Sequence, residues 1–176
     1  MSRYSYLIKF RTEEGEPIQG KVIFRSEEYS FDFEPRASGG GQSIAINDLQ
    51  LEFDLETFQI LYIYGLCTYC LYWKQSILYP PPASHGKFFA EFMTNKEILP
   101  GMSYGYTEPA EWPVYVDFDS GWVCIGQPEV AQKIQAVEFA TNSIAVLDNG
   151  KLIAIWLRPE DLLGALKHRK PLPSEA

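Results

Sequence analysis

Asn149-Gly150 lies between two apolar runs, SIAVLD and KLIAIWL, and constrains the fold more than any other short stretch. A two-residue hairpin turn needs φ > 0 at both central positions, which asparagine and glycine accept at low steric cost. An antiparallel hairpin is therefore predicted here. QAVEFA extends the same region to three strands over 135–157, and WPVYVDFDSGWVCIG (112–126) reads as two strands around an Asp-Ser-Gly turn. RPEDLLGALKHR (158–169) then predicts a short helix. Pro159 suits its first turn, Glu160 and Asp161 its positive end, and Lys167 to Lys170 its negative end. Each part of this C-terminal third has a folding reason, so it reads as scaffold.

Upstream, residues 4–10, 21–25 and 29–34 read as strands, with a turn at Gly15 and Pro17 and a flexible loop over 36–42 containing three consecutive glycines. LQLEFDLE alternates cleanly, with Leu49, Leu51, Phe53 and Leu55 on one face and Gln50, Glu52, Asp54 and Glu56 on the other. The sheet is expected to continue through 58–64. YPPPASHG within 74–86 excludes helix and central strand. Residues 87–93 read as a short helix or a strand, and 95–112 as a long loop. Aromatics make up 15% of the chain, which favours strands. The expected fold is α+β and mainly β: a single domain (1–176, with 171–176 a frayed tail). Its largely antiparallel sheet of eight to ten strands is curled or two-layered, the N-terminal strands meander, and one to three helices include a C-terminal one packed on an edge or end.

Charge narrows the class of partner. Residues 1–150 carry ten Lys and Arg against twenty Asp and Glu, net −10, whereas residues 151–176 carry five against three, net +2. An acidic body disfavours nucleic acid and anionic membrane, both polyanions, and suits a basic protein. Residues 57–73 lack charge for 17 positions, but Thr57, Gln59, Thr68 and several tyrosines dilute that run, so it is not read as a membrane helix. The N-terminus has no apolar run of signal-peptide length, and the cytoplasm is the expected compartment.

Chemical motifs are sparse. Cys67 and Cys70 form a CxxC without a basic neighbour; two core thiols are expected, with a zinc site (adding His85 and Cys124) or a redox pair as alternatives. The cysteine count of three excludes a fully paired disulfide framework. Of two histidines, His168 suits a helix end and His85 lies in a Pro-rich loop. Asp117 and Asp119 share a strand face beside Ser120-Gly121, where turn chemistry explains them. Ser38-Gly39-Gly40-Gly41 lacks the rest of a phosphate loop. No catalytic set, metal site or cofactor motif is assigned. Glu52, Asp54 and Glu56 remain: at period two they place three carboxylates along about 13 Å of one strand face. Such a row reads either as a solvated sheet face or as a surface that meets Lys and Arg of another protein; for the latter, Tyr72 and Trp73 are candidate aromatic anchors, with Tyr69 and Tyr79 as further candidates.

The segment WPVYVDFDSGWVCIG…QAVEFATNSIAVLDNGKLIAIWLRPEDL, about 60 residues with its acidic context, resembles in style the closing segments of bacterial immunity proteins of contact-dependent inhibition and other polymorphic toxin systems. The resemblance implies a protein that binds and neutralises a cognate, basic toxin domain such as a nuclease. It carries over no individual residue. Two other readings stay open: a small hydrolase using His85 with Asp117 or Asp119, and a small-ligand-binding β domain.

Overall fold

The computed structural model describes residues 7–67, 74–106, 111–129 and 133–166, excluding the side chains of 165 and 166. In chain order the strands are β1 (Ile8–Glu14), β2 (Lys21–Arg25), β3 (Ser30–Glu34), β4 (Gln42–Ile46), β5 (Leu49–Phe53), β6 (Gln59–Leu66) and β7 (Lys74–Gln75). They continue with β8 (Ser84–Phe92), β9 (Ser103–Gly105), β10 (Val114–Val116), β11 (Val123–Gly126), β12 (Gln135–Ala140), β13 (Ser143–Asp148) and β14 (Lys151–Leu157). One helix, α1 (Leu162–Leu166), is found among the described residues.

All strands join one curled, mixed sheet, eleven of them in the path β7-β10-β11-β14-β13-β12-β8-β6-β5-β4-β9. Most pairings are antiparallel; β7–β10, β8–β12 and β4–β9 are parallel. The mainly β expectation holds, but among the described residues helix amounts to five residues, and fourteen short strands stand where eight to ten were expected. The N-terminal strands do not form one meander either. β1 pairs with β8, β2 and β3 form a separate hairpin, and β4, β5 and β6 form the meander.

β8 joins two wings. Its first residues, Ser84 and His85, pair with β12, while Phe88 and Phe89 pair with β6, and β1 runs along its other edge. Gly86 sits between those two partners, where a Cβ would fall 2.6 Å from the Glu13 carbonyl oxygen. The KFFAEFM segment is thus strand, because both of its edges are paired. The first wing holds β2–β6 and β9; the second holds β7 and β10–β14. Between them lies an aromatic core in which Phe88 meets Phe10 and Phe139, each at 5.2 Å between ring centres.

The predicted Asn149-Gly150 hairpin is present, with φ of 49° and 77° and Asp148 opposite Lys151. Pro159, Glu160 and Asp161 precede α1 rather than opening it. The Glu160 N–H bonds the Val22 carbonyl at 2.9 Å, drawing the chain along edge strand β2, and Asp161 Oδ1 accepts the Gly164 N–H at 2.9 Å as a cap. Lys167 to Lys170 and His168 lie outside the described residues. So does the second half of 57–73; its first half is strand β6, and no described helix is long and apolar enough to cross a membrane.

Candidate functional site

The acidic row is rearranged by the fold. β5 ends at Phe53, so Glu52 is its last acidic residue, while Asp54 and Glu56 belong to the turn into β6. The three carboxylates therefore do not line one wet strand face. Glu52 is 6% exposed, Asp54 is half-buried and Glu56 is exposed.

The turn is tightly built. Asp54 Oδ1 accepts the Glu56 N–H (3.0 Å), the Thr57 N–H (2.8 Å) and the Thr57 hydroxyl (3.0 Å). The Thr57 N–H holds the Asp54 carboxyl below the usual carboxylate range, against a smaller opposing effect of burial. Phe58 adopts φ of 61°, a costly conformation for a large side chain, and its ring is held between Phe53 (5.9 Å) and Phe92 (6.0 Å). Glu56 projects from this rigid turn without an ion pair among the described residues.

Glu52 is covered rather than exposed. The loop of three glycines crosses it: Oε1 accepts the Gly41 N–H, and a Cβ at Gly40 would collide with that same oxygen. Only glycine allows such backbone approach, and Gly41 needs its φ of 126°. Glu52 faces Ser43 on β4 and Tyr62 on β6, with Gln50 opposite Tyr64 one step along. Ser43 and Ser103 hydroxyls both donate to Gln50 Oε1, at 2.6 and 2.7 Å. Burial raises the Tyr62 and Tyr64 phenol pKa values, and the nearby Glu52 charge adds to both shifts. Glu52 Oε2, however, is buried and accepts no hydrogen bond of normal geometry. Nor does Glu52 have a cationic partner among the described residues: Arg36, stacked 4.9 Å over the Tyr64 ring, is paired with Asp32 at 3.0 Å.

The chain matches no protein-family model and no curated protein. The functional reading therefore rests on the geometry of its own residues.

Tyr69, Cys70, Tyr72 and Trp73 lie outside the described residues. Tyr79 is 81% exposed. Cys67 is disulfide-bonded, which corrects the expectation of a core thiol there, while Cys124 is a buried free thiol whose pKa burial pushes up. The residues of the hydrolase alternative are kept apart. His85 Nε2 pairs with Glu138 Oε2 at 3.2 Å on β8 and β12. Asp117, just after β10, is separated from β8 by four intervening strands in the sheet order. Its carboxylate is spent on backbone: Oδ1 accepts the Asp119 and Ser120 N–H groups at 2.9 and 3.2 Å, and Oδ2 accepts the Leu78 N–H at 3.0 Å. The turn chemistry read from the sequence is present, and the tether to Leu78 is an addition.

Sequence reasoning missed Ser43, Tyr62 and Tyr64 as neighbours of Glu52. The β4–β5 pairing of Ser43 with Glu52 follows from the tight turn at Asn47-Asp48, so that neighbour was within reach. The phenols and the glycine cover were not, because the sequence does not show where the loop crosses.

Proposed function

We propose that this chain is an immunity-type inhibitor that binds a cognate, basic toxin domain, such as a nuclease, and blocks it in the cytoplasm. The observation that carries the reading is the acidic turn at Asp54–Thr57: a carboxylate without an ion pair on a backbone that is already ordered. A preorganised contact loses little conformational entropy on binding, so more of its interaction appears as affinity. A nuclease groove is basic, and Glu56 is placed to meet its Lys and Arg as a phosphate would. Glu52 and Asp54 belong to the same proposed partner surface, with Asp54 acting mainly as the brace of the turn; Tyr72 and Trp73, outside the described residues, stay candidates from the sequence. The net −10 of residues 1–150 adds long-range attraction.

The test begins with capture from the source organism of whatever binds the tagged full chain. A near-stoichiometric basic protein, whose activity is blocked by the purified chain, is the expected result. Glu56→Lys should then weaken that complex roughly tenfold, with a smaller loss at high salt because exposed charge pairs are screened. Unchanged affinity removes the turn from the interface. A captured partner whose activity is untouched by the chain overturns the inhibitor reading.

A further inference from the structure

Glu52 is an acid without an ion pair among the described residues. It is more than nine-tenths buried; Oε1 accepts the Gly41 N–H and the Tyr64 hydroxyl lies against the carboxylate, but Oε2 has no hydrogen bond of normal geometry. Burying a carboxylate without a counter-charge is unfavourable, so such a group marks a place where a cation belongs. Its cover is also unusual. Three glycines carry no side chain to wedge the loop in place, and the loop is joined to Glu52 through one N–H. The Gly101 N–H also bonds the Gly41 carbonyl at 2.8 Å, beside exposed Leu99 and Met102, and Ala37 at the start of the loop packs on the core.

We propose that Glu52, under the Gly39–Gly41 loop, receives a single guanidinium group from an arginine side chain of the protein partner. The site stands on its own geometry; only the source of the arginine rests on the inhibitor reading. A guanidinium fits better than an ammonium. It is more weakly hydrated, and its five donors suit an arrangement with one free carboxylate oxygen and phenol oxygens nearby. Its flat face also stacks on tyrosine, as Arg36 already does on Tyr64. Entry requires the glycine loop to lift, which breaks the Gly41 N–H bond to Oε1; the guanidinium donors replace it and also reach Oε2.

Amide and aromatic NMR of the full chain, titrated with N-acetyl-arginine methylamide, tests this directly. Saturable shifts are expected at Gly40, Gly41 and the Tyr64 ring, described by one binding constant. N-acetyl-norleucine methylamide should produce none. Glu52→Gln should weaken the arginine probe by roughly tenfold or more, as loss of a charged hydrogen-bond partner requires. Glu129→Lys, at an exposed acid distant in the chain, should retain the same local shifts. Equal shifts in Glu52→Gln, or shifts that spread over all acidic surfaces without saturating, overturn the site. Should Glu52→Gln lose native amide dispersion, Tyr64→Phe replaces it, with a weaker probe affinity expected and an unchanged one counting against the site. Saturable probe binding in a chain that captures no basic protein supports the site and removes the inhibitor reading alone. Capture of a basic partner at undiminished affinity by folded Glu52→Gln does the reverse.

Discussion

Among the described residues, each wing of the sheet buries one side-chain polar atom without a hydrogen bond of normal geometry, and the two are covered in opposite ways. In the first wing the atom is Glu52 Oε2, set among Ser43, Gln50, Tyr62 and Tyr64 under a glycine loop. In the second it is the Trp156 indole N–H, wholly buried in an apolar cluster with Leu78, Cys124, Ala136, Ile144, Val146 and Ala154. The cover there includes Leu78 and Ala83 of the Pro-rich segment, pinned by the Leu78 N–H to Asp117. An unpaired indole N–H costs about 1–3 kcal/mol, which surrounding apolar burial readily exceeds. A buried carboxylate oxygen without a counter-charge costs more than a neutral N–H, and apolar neighbours do not offset it in the same way. The second wing thus closes over its unpaired atom with packed side chains, whereas the first covers its carboxylate with a loop that carries no side chain over Gly39–Gly41.

The largest expected effect tests the closed side. Trp156→Ala should lower stability by about 3–5 kcal/mol, measured by denaturant unfolding, because the site is fully packed. A loss under about 1 kcal/mol would mean that the cluster is looser than its burial implies. On the open side, Gly40→Ala forces the Glu52 carboxylate to move and should cost about 1–3 kcal/mol. Much of that penalty should disappear when Glu52 is also Ala, since the two residues are in direct conflict. An additive double variant would show that the loop has another place to go.

The strap of the second wing has a pH signature. The Leu78 N–H, as the leading cause, lowers the Asp117 pKa, and burial opposes it. A depressed folded-state pKa stabilises fully above the unfolded value, about 3.9, and that contribution is lost as pH falls through the lowered folded value. Unfolding midpoints followed from pH 6 downward (about two units above the carboxylate range) should fall less steeply below about pH 4 in Asp117→Asn than in the parent. Parallel curves would detach the strap from this carboxylate. The smallest effect belongs to Glu56→Lys, which should change stability by no more than about 0.5 kcal/mol because the side chain is exposed and unpaired. A larger loss would make Glu56 part of the scaffold.

Local chemistry was legible in the sequence wherever a few consecutive residues decide the conformation. The Asn149-Gly150 turn and its strands, the bounds of β2 and the Asp117 turn are of this kind: each depends on backbone dihedrals and on hydrogen bonds between neighbours. The strand in LQLEFDLE was legible as far as Phe53, but its wet acidic face was not borne out, because Glu52 is buried. What it could not show was that Asp54 would spend its carboxylate on a turn, ending the row, or that the glycine loop would lie across Glu52. Helix α1 started later than its capping pattern implied because Glu160 found a backbone partner on β2. The pairing of β1 with β8, and the change of partner along β8, were likewise beyond local pattern. The amino-acid sequence by itself determined a mainly β chain with an acidic body and well-placed turns, because those follow from side-chain type and short-range geometry. Only the tertiary structure decided which carboxylate meets solvent and which is buried without a counter-charge, because that depends on segments far apart in the chain closing over one another.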